Sequence, residues 1–245
     1  MEKLDMIYGT RAVIEAIAAG KEIDKVMIQS GLTNDLIKEL IAVARNNNIP
    51  IAFVPAEKLK RISTKNHQGV ICLLSVVAFA SVDDLIYRAY NEGREPFFLI
   101  LDRITDVRNF GAIVRTAECA GVDGIIIPDK GNAPITSDAM KTSAGALNHL
   151  PICREKDLKK TIQLLHDNGI RVVACTEKTE RSLYQLNLTG PITIILGSEE
   201  DGISDILLRQ ADDLAQIPLK GKIGSLNVSV AAGVALYEVV RQKKM

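Results

Sequence analysis

Apolar and polar positions along this chain alternate between two periods. Short apolar runs, rich in β-branched residues, stand at Lys25–Gln29, Ile51–Val54, Gly69–Val77, Phe97–Leu101, Gly124–Ile127, Arg171–Ala174, Ile192–Leu196 and Leu214–Ile217, and each predicts a strand. Helical spacing fills the stretches between. Thr10 opens a helix to about Ala19 that Gly20 stops, and Asn34 caps a second over Asp35–Arg45. A Pro-led turn of helix follows at Ala56–Arg61, and Ser81 opens another that runs to Tyr90. Further helices are expected at Ala112–Ala120, Ser137–Ser143, Lys156–Asp167 and Val228–Gln242. Short β-branched strands alternating with helices after Phe97 imply a mainly parallel sheet covered on both faces. The breaker-rich turn Asn91–Pro96 separates that region from a smaller α/β unit, so the expected division is 1–76, a connection at 77–95, and 96–245.

Composition narrows the function classes. The chain of 245 residues carries 30 Lys plus Arg against 30 Asp plus Glu, so any nucleic-acid contact must come from a local patch. The first 76 residues hold 10 basic against 8 acidic side chains, a surplus of only two. Arg11, Lys58, Lys60, Arg61, Lys65 and His67 offer a candidate basic face for RNA there, with plain solvation as the ordinary alternative. Few aromatics and no tryptophan make a base-stacking platform a poor expectation. Cys72, Cys119, Cys153 and Cys175 are scattered without metal-ligand spacing, which predicts free thiols, no metal and a reducing, cytoplasmic setting. No basic-then-apolar leader and no membrane-length apolar run occurs in the sequence, so no membrane role is expected.

Common nucleotide and hydrolase signatures are missing. Neither G-x-G-x-x-G nor G-x-x-x-x-G-K-[ST] is found, and Lys220–Ser225 places its Gly and Lys wrongly for a phosphate loop. There is no G-x-S-x-G and no histidine beside an obvious nucleophile.

Three other segments set polar or glycine residues at the edges of apolar runs, where backbone and side chains are free for a ligand. They are Asn109–Arg115, Leu196–Gly202, and Ile217–Leu219 leading to Ser225–Ala231. Each residue in them also has an ordinary structural reading. Asn109 can cap the helix that bears Arg115, and Arg115 can be a surface side chain whose stem covers apolar area. Gly197 and Gly202 can bracket an acidic surface turn containing Glu199 and Glu200. Ile217 and Leu226 read as core, while Ser225 and Asn227 can cap the last helix.

Taken together, the three segments resemble the three motifs of the SpoU (TrmH-like) 2′-O-ribose RNA methyltransferases of the SPOUT superfamily, over about residues 97–245. The leading domain is similar to the L30e-like RNA-binding domain of one branch, through Tyr8-Gly9 and His67–Val70. The full layout is most similar to the bacterial enzymes that methylate a guanosine in the peptidyl-transferase region of 23S rRNA. The resemblance implies a C-terminal deep trefoil knot, a homodimer packed knot against knot, and S-adenosyl-L-methionine as cofactor. It assigns Asn109, Arg115, Glu199, Ser225 and Asn227 to catalysis, and Gly197, Ile217 and Leu226 to the cofactor. Arg115 would meet the target ribose; a guanidinium rarely gives up its proton, so phosphate binding and alkoxide stabilisation suit it better than proton removal. Two other readings stay open: the same chemistry on tRNA or another rRNA nucleotide, and a catalytically silent RNA-binding ribosome-assembly factor.

Overall fold

A computed structural model describes residues 6–243. The chain groups into two compact units, one running to Ala78 and including Pro134–Asp138, the other comprising Phe79–Ala133 and the chain from Ala139 onward.

The first unit contains β1 (Met6–Tyr8), α1 (Thr10–Ala18), β2 (Ile23–Gln29), α2 (Asp35–Asn46), β3 (Ile51–Val54), α3 (Ala56–Ile62) and β4 (Val70–Leu74). Its sheet has the order β1-β4-β2-β3, with β4 antiparallel to both neighbours and β3 parallel to β2. The period-two pattern divides the strands between two layers. Val26, Ile28, Val70 and Cys72 pack under α1 and α2, whereas Met27, Ile71 and Leu73 pack with Leu59 of α3. Asn34 caps α2 as expected, accepting from Ile37 N at 2.9 Å. Thr10 is not a cap: Gly9 takes that place at φ 85, without a side-chain bond, and Thr10 is the first, buried residue of α1. Residues 134–138 were not legible as part of this unit. Ile135 N donates to Asp24 at 3.2 Å, and its carbonyl accepts from Val76 N at 3.1 Å.

The remaining elements in chain order are β5 (Phe79–Ala80), α4 (Val82–Asn91), β6 (Phe97–Asp102), α5 (Val107–Cys119), β7 (Gly124–Pro128), α6 (Ser137–Thr142), β8 (Ile152–Glu155), α7 (Leu158–Asp167), β9 (Arg171–Cys175), β10 (Ile192–Gly197), α8 (Asp205–Leu208), β11 (Asp213–Ala215) and α9 (Val228–Lys243). Seven strands form one sheet in the order β11-β9-β10-β6-β7-β8-β5, and every pairing is parallel. Phe98, Ile100, Ile126, Val172, Ala174 and Ile195 face α4, α7 and α8. α5 and α9 pack on each other, and α9 also meets β10. A parallel sheet covered on both faces was the expectation, and it holds.

Several boundaries differ from the sequence reading. Residues 77–95, taken there as the connection, carry β5 and α4, which belong to the second unit. β8 escaped notice because only Ile152 and Cys153 of its four residues are buried, and Arg154-Glu155 read as loop. α5 starts at Val107, five residues before the expected Ala112, because Asp106 rather than Asn109 is its cap. Asp106 Oδ1 accepts from Asn109 N at 2.8 Å, which places Asn109 inside the first turn. β11 ends at Ala215, so Ile217 lies beyond the sheet.

Gly111 is fixed by contact. A Cβ there would stand 2.0 Å from Thr142 Oγ1 and 2.8 Å from the Thr142 carbonyl carbon. Gly to Ala inside a helix ordinarily stabilises by about 1 kcal/mol; here overpacking reverses the sign. Gly111→Ala is expected to destabilise the protein by about 1–3 kcal/mol, read as a lower denaturant midpoint at unchanged m.

Candidate active site

The carboxyl edge of a parallel sheet is where α/β folds place ligands, because several loops converge there. In this chain the segments after β9, β10 and β11 and the approach to α9 enclose a cavity of ≈ 620 Å³. Its walls are residues 175–177, 196–203, 216, 217 and 219, then 224–228 and Ala231.

The turn after β10 is built on two glycines. Gly202 N donates to Ser198 O, and Asp201 N to Ser198 Oγ, each at 3.0 Å. Gly202 sits at φ 67, a conformation that suits glycine. The turn folds back so closely that a Cβ on Gly197 would lie 2.1 Å from the Gly202 carbonyl carbon. Glycine at 197 is therefore required by closure of the turn itself, in addition to its place on the cavity wall.

Asn227 joins the three polar segments. Its Nδ2 donates to Glu199 Oε1 at 2.7 Å and to Asn109 Oδ1 at 3.0 Å. Its Oδ1 accepts from Ser229 N at 3.0 Å and from Ser229 Oγ at 2.5 Å, which is helix capping at the second position of α9. The amide can face only one way, since reversal would set its oxygen against a carboxylate. Glu199 Oε1 also accepts from Val228 N at 3.3 Å, placing a carboxylate at the positive end of the 16-residue helix α9. Asn227 is thus both a cap and a junction, and Asn109 is a partner rather than a cap.

Six of the eight residues assigned from the sequence border the cavity: Gly197, Glu199, Ile217, Ser225, Leu226 and Asn227. Asn109 reaches it through Asn227. Arg115 does not line it. Its side chain is exposed on α5, with no hydrogen-bond or ion-pair partner among the described residues. Glu200, read as surface charge, does line the cavity, as do Thr176, Glu177 and Gln216. Those three gave no signal beyond being the first polar residues after an apolar run. In the first unit Arg11 stands on α1 and Lys58, Lys60 and Arg61 on α3, helices that cover opposite faces of the sheet. Lys65 lies 5.2 Å from the Tyr8 ring centroid, and His67 Nδ1 accepts from Gly69 N at 3.0 Å. Among the described residues no group of three or more His, Cys, Asp or Glu is arranged to hold a metal, and no helix is long and apolar enough to cross a membrane.

Two sequence families match. The profile of the SpoU rRNA methylase family covers residues 96–237, and one described as RNA 2′-O ribose methyltransferase substrate binding covers residues 6–77. A Bacillus subtilis protein, YacO, by name a TrmH family tRNA/rRNA methyltransferase, is 34% identical over 98% of this chain and 96% of its own length. A Staphylococcus saprophyticus protein of like name is 35% identical over 99% of this chain and 97% of its own. Among solved structures, an AdoMet-bound rRNA methyltransferase from Sinorhizobium meliloti aligns with a TM-score of 0.61 and 25% identity, over 96% of this chain and 86% of that one.

The cavity wall makes a chemical prediction. Burial pushes the Cys175 thiol up to about 11 and, with Asp24 and Glu155 nearby as lesser causes, the Cys72 and Cys153 thiols up to about 12. A raised pKa leaves little thiolate below it, about one part in a thousand at pH 8 for a pKa near 11. Cys119 is exposed. A disulfide-exchange dye at pH 8 should label Cys119 fast and the other three only on unfolding, as peptide mapping would show.

Proposed function

The chain belongs to the SpoU rRNA methylase family, whose members transfer methyl groups to RNA from S-adenosylmethionine, and from that premise we propose that it methylates the ribose 2′-hydroxyl of a guanosine in the peptidyl-transferase region of 23S rRNA. The observation that carries this reading is the Asn109–Asn227–Glu199 junction beside the free Ser225 hydroxyl at the mouth of the cavity.

The cavity fits the cofactor in size and chemistry. Its volume falls in the range of about 300–1,000 Å³ usual for small-molecule sites. Gly197, Ile217 and Leu226 would hold the adenosine through backbone groups and apolar contact, with half-exposed Leu226 and Leu219 as ready apolar surface. When bound, the cofactor supplies a methyl group on a sulfonium, which becomes neutral as the methyl leaves. The chain's own part is alignment. Glu199 and Asn227 hold one another in place, and the Asn109 amide nitrogen is left free to donate to a ribose oxygen. Arg115 binds the adjacent phosphate and stabilises the developing alkoxide, a role suited to a group that keeps its proton.

In this reading the first unit is an L30e-like domain that selects the RNA, and the second, which begins at Phe79 with β5 and α4, is a SPOUT domain with a C-terminal trefoil knot. Supporting the knot, β10 inserts between β6 and β9 and the last helix returns to pack on β10. Two copies pair through that domain in the cytoplasm, without metal. The relatives' names, which cover both tRNA and rRNA, favour keeping tRNA as the second substrate class.

The test is transfer of labelled methyl to unmodified 23S rRNA and, in parallel, to bulk tRNA, with mapping of alkali-resistant positions. Label at one rRNA guanosine is expected, and Arg115→Ala should slow it about a hundredfold or more, as loss of an anion-stabilising donor does. Label on tRNA alone would overturn the rRNA assignment. Cofactor binding without transfer to either RNA would favour the silent assembly factor.

A further inference from the structure

Arg103 follows the last residue of β6 and has φ 63, the left-handed region that non-glycine residues seldom adopt. What its side chain does there is specific. Its Nε and Nη2 engage the carboxylate of the buried Asp102 at 3.0 and 3.3 Å. Nη1 reaches Asp201 Oδ2, and Nη2 the Gly202 carbonyl, each at 3.2 Å. The stem passes Gly131, where a Cβ would stand 3.3 Å from Arg103 Cγ. One guanidinium therefore ties the end of β6 to the turn that carries Glu199, and a fork of donors suits that double task. Asp102 also holds the chain just beyond that turn: its Oδ2, the oxygen that takes Arg103 Nη2, accepts from Ser204 N at 2.7 Å.

We infer that Arg103 is a positioning residue for the cofactor: its guanidinium fixes the 198–202 wall of the cavity, and its strained backbone is the consequence of aiming the side chain there. The link to the cofactor rests on the function proposed above; the clamp itself does not. Among the described residues the cavity-lining groups that Arg103 hydrogen-bonds are Asp201 and Gly202, so it acts through the turn.

Arg103→Gly isolates the guanidinium, because glycine accepts the left-handed conformation without strain. In the ligand-free full chain, the amides of Asp201 and Gly202 should exchange with deuterium about tenfold faster in this variant, as expected when a local tether is lost. The Ile195 amide, in the middle of β10 and paired on both sides, should be unchanged. The Michaelis constant for S-adenosylmethionine and the Kd for S-adenosylhomocysteine should both rise about tenfold, a loss equal to one charged hydrogen bond, while kcat at saturation changes less than about twofold. Equal exchange at Asp201 and Gly202 in the two proteins would overturn the clamp. Faster exchange with unchanged Kd would overturn its role toward the cofactor. A wild-type chain that bound no S-adenosylhomocysteine would sink the functional reading instead, with the exchange result still deciding the clamp. Should the glycine variant not fold, Asp201→Asn removes the ionic half of the contact, and a rise of about threefold in both exchange and Kd is expected.

Discussion

One carboxamide holds the candidate site together. Asn227 spends both its donors and its acceptor within the molecule, on Glu199, Asn109 and Ser229, and so brings into register three segments separated by as much as 118 residues. Each of these bonds is worth only about 0.5–1.5 kcal/mol net, and those to the carboxylate somewhat more. Glu199 is exposed, so solvent screens its share further. That sum cannot hold a 16-residue helix in place against the entropy of releasing it. Packing does so: Ala232, Ala235, Leu236 and Val239 of α9 are fully buried, and burial of one Leu or Val alone is worth about 1.5–3 kcal/mol. The apolar face of α9 sets where the helix lies, and Asn227 then selects which way its first turn points.

The same division of labour runs through the turn after β10. Parallel strands deliver Cys175, Gly197 and Ala215 to one edge of the sheet, a consequence of the apolar runs that precede them. What happens beyond that edge is decided by small residues and single contacts. Gly197 gives way to the returning chain, Gly202 turns it, and Arg103 binds the result to β6. The left-handed conformation of Arg103 costs on the order of 1–2 kcal/mol, which its charged hydrogen bonds to Asp102, Asp201 and Gly202 offset.

These two levels explain what the sequence disclosed. Strands longer than four residues and helices with a side-chain cap, such as α2 with Asn34 and α4 with Ser81, were legible because propensity, pattern and capping agree there. Strands β1, β5 and β8 were not, since none forms a continuous run of buried apolar residues: β1 and β5 are only partly buried, and β8 ends on Arg154-Glu155. The true start of α5 was hidden because Asp106 and Asn109 are both good caps, and only tertiary contact with Asn227 frees Asn109 for another task. Six cavity residues were found through motif resemblance, because the motifs lie at strand ends. Glu177, Thr176 and Gln216 were missed, since a polar residue after a strand is ordinary unless its neighbours in space are known. Arg103 gave no signal at all: nothing in its local sequence announces a positive φ.

The charge pattern of the cavity bears on the direction of the proposed reaction. Glu177, Glu199, Glu200 and Asp201 all line it, in a chain whose formal net charge is zero. Asp201 is paired with Arg103, which leaves three carboxylates to repel RNA phosphates from the cavity, so in the proposed reaction the nucleic acid would be held by cations outside it, as Arg115 on α5 is. Those same carboxylates favour a ligand that carries a positive charge beside its ammonium. At an effective dielectric near 20, a unit charge 4 Å from one carboxylate gains about 4 kcal/mol before desolvation is counted, and screening at this open site reduces the net to a fraction of that. In the proposed reaction methyl transfer would remove one positive charge from the bound ligand, and an acidic wall favours the charged form over the neutral one. The placement of that wall depends on the 198–202 turn standing where Asn227 and Arg103 hold it.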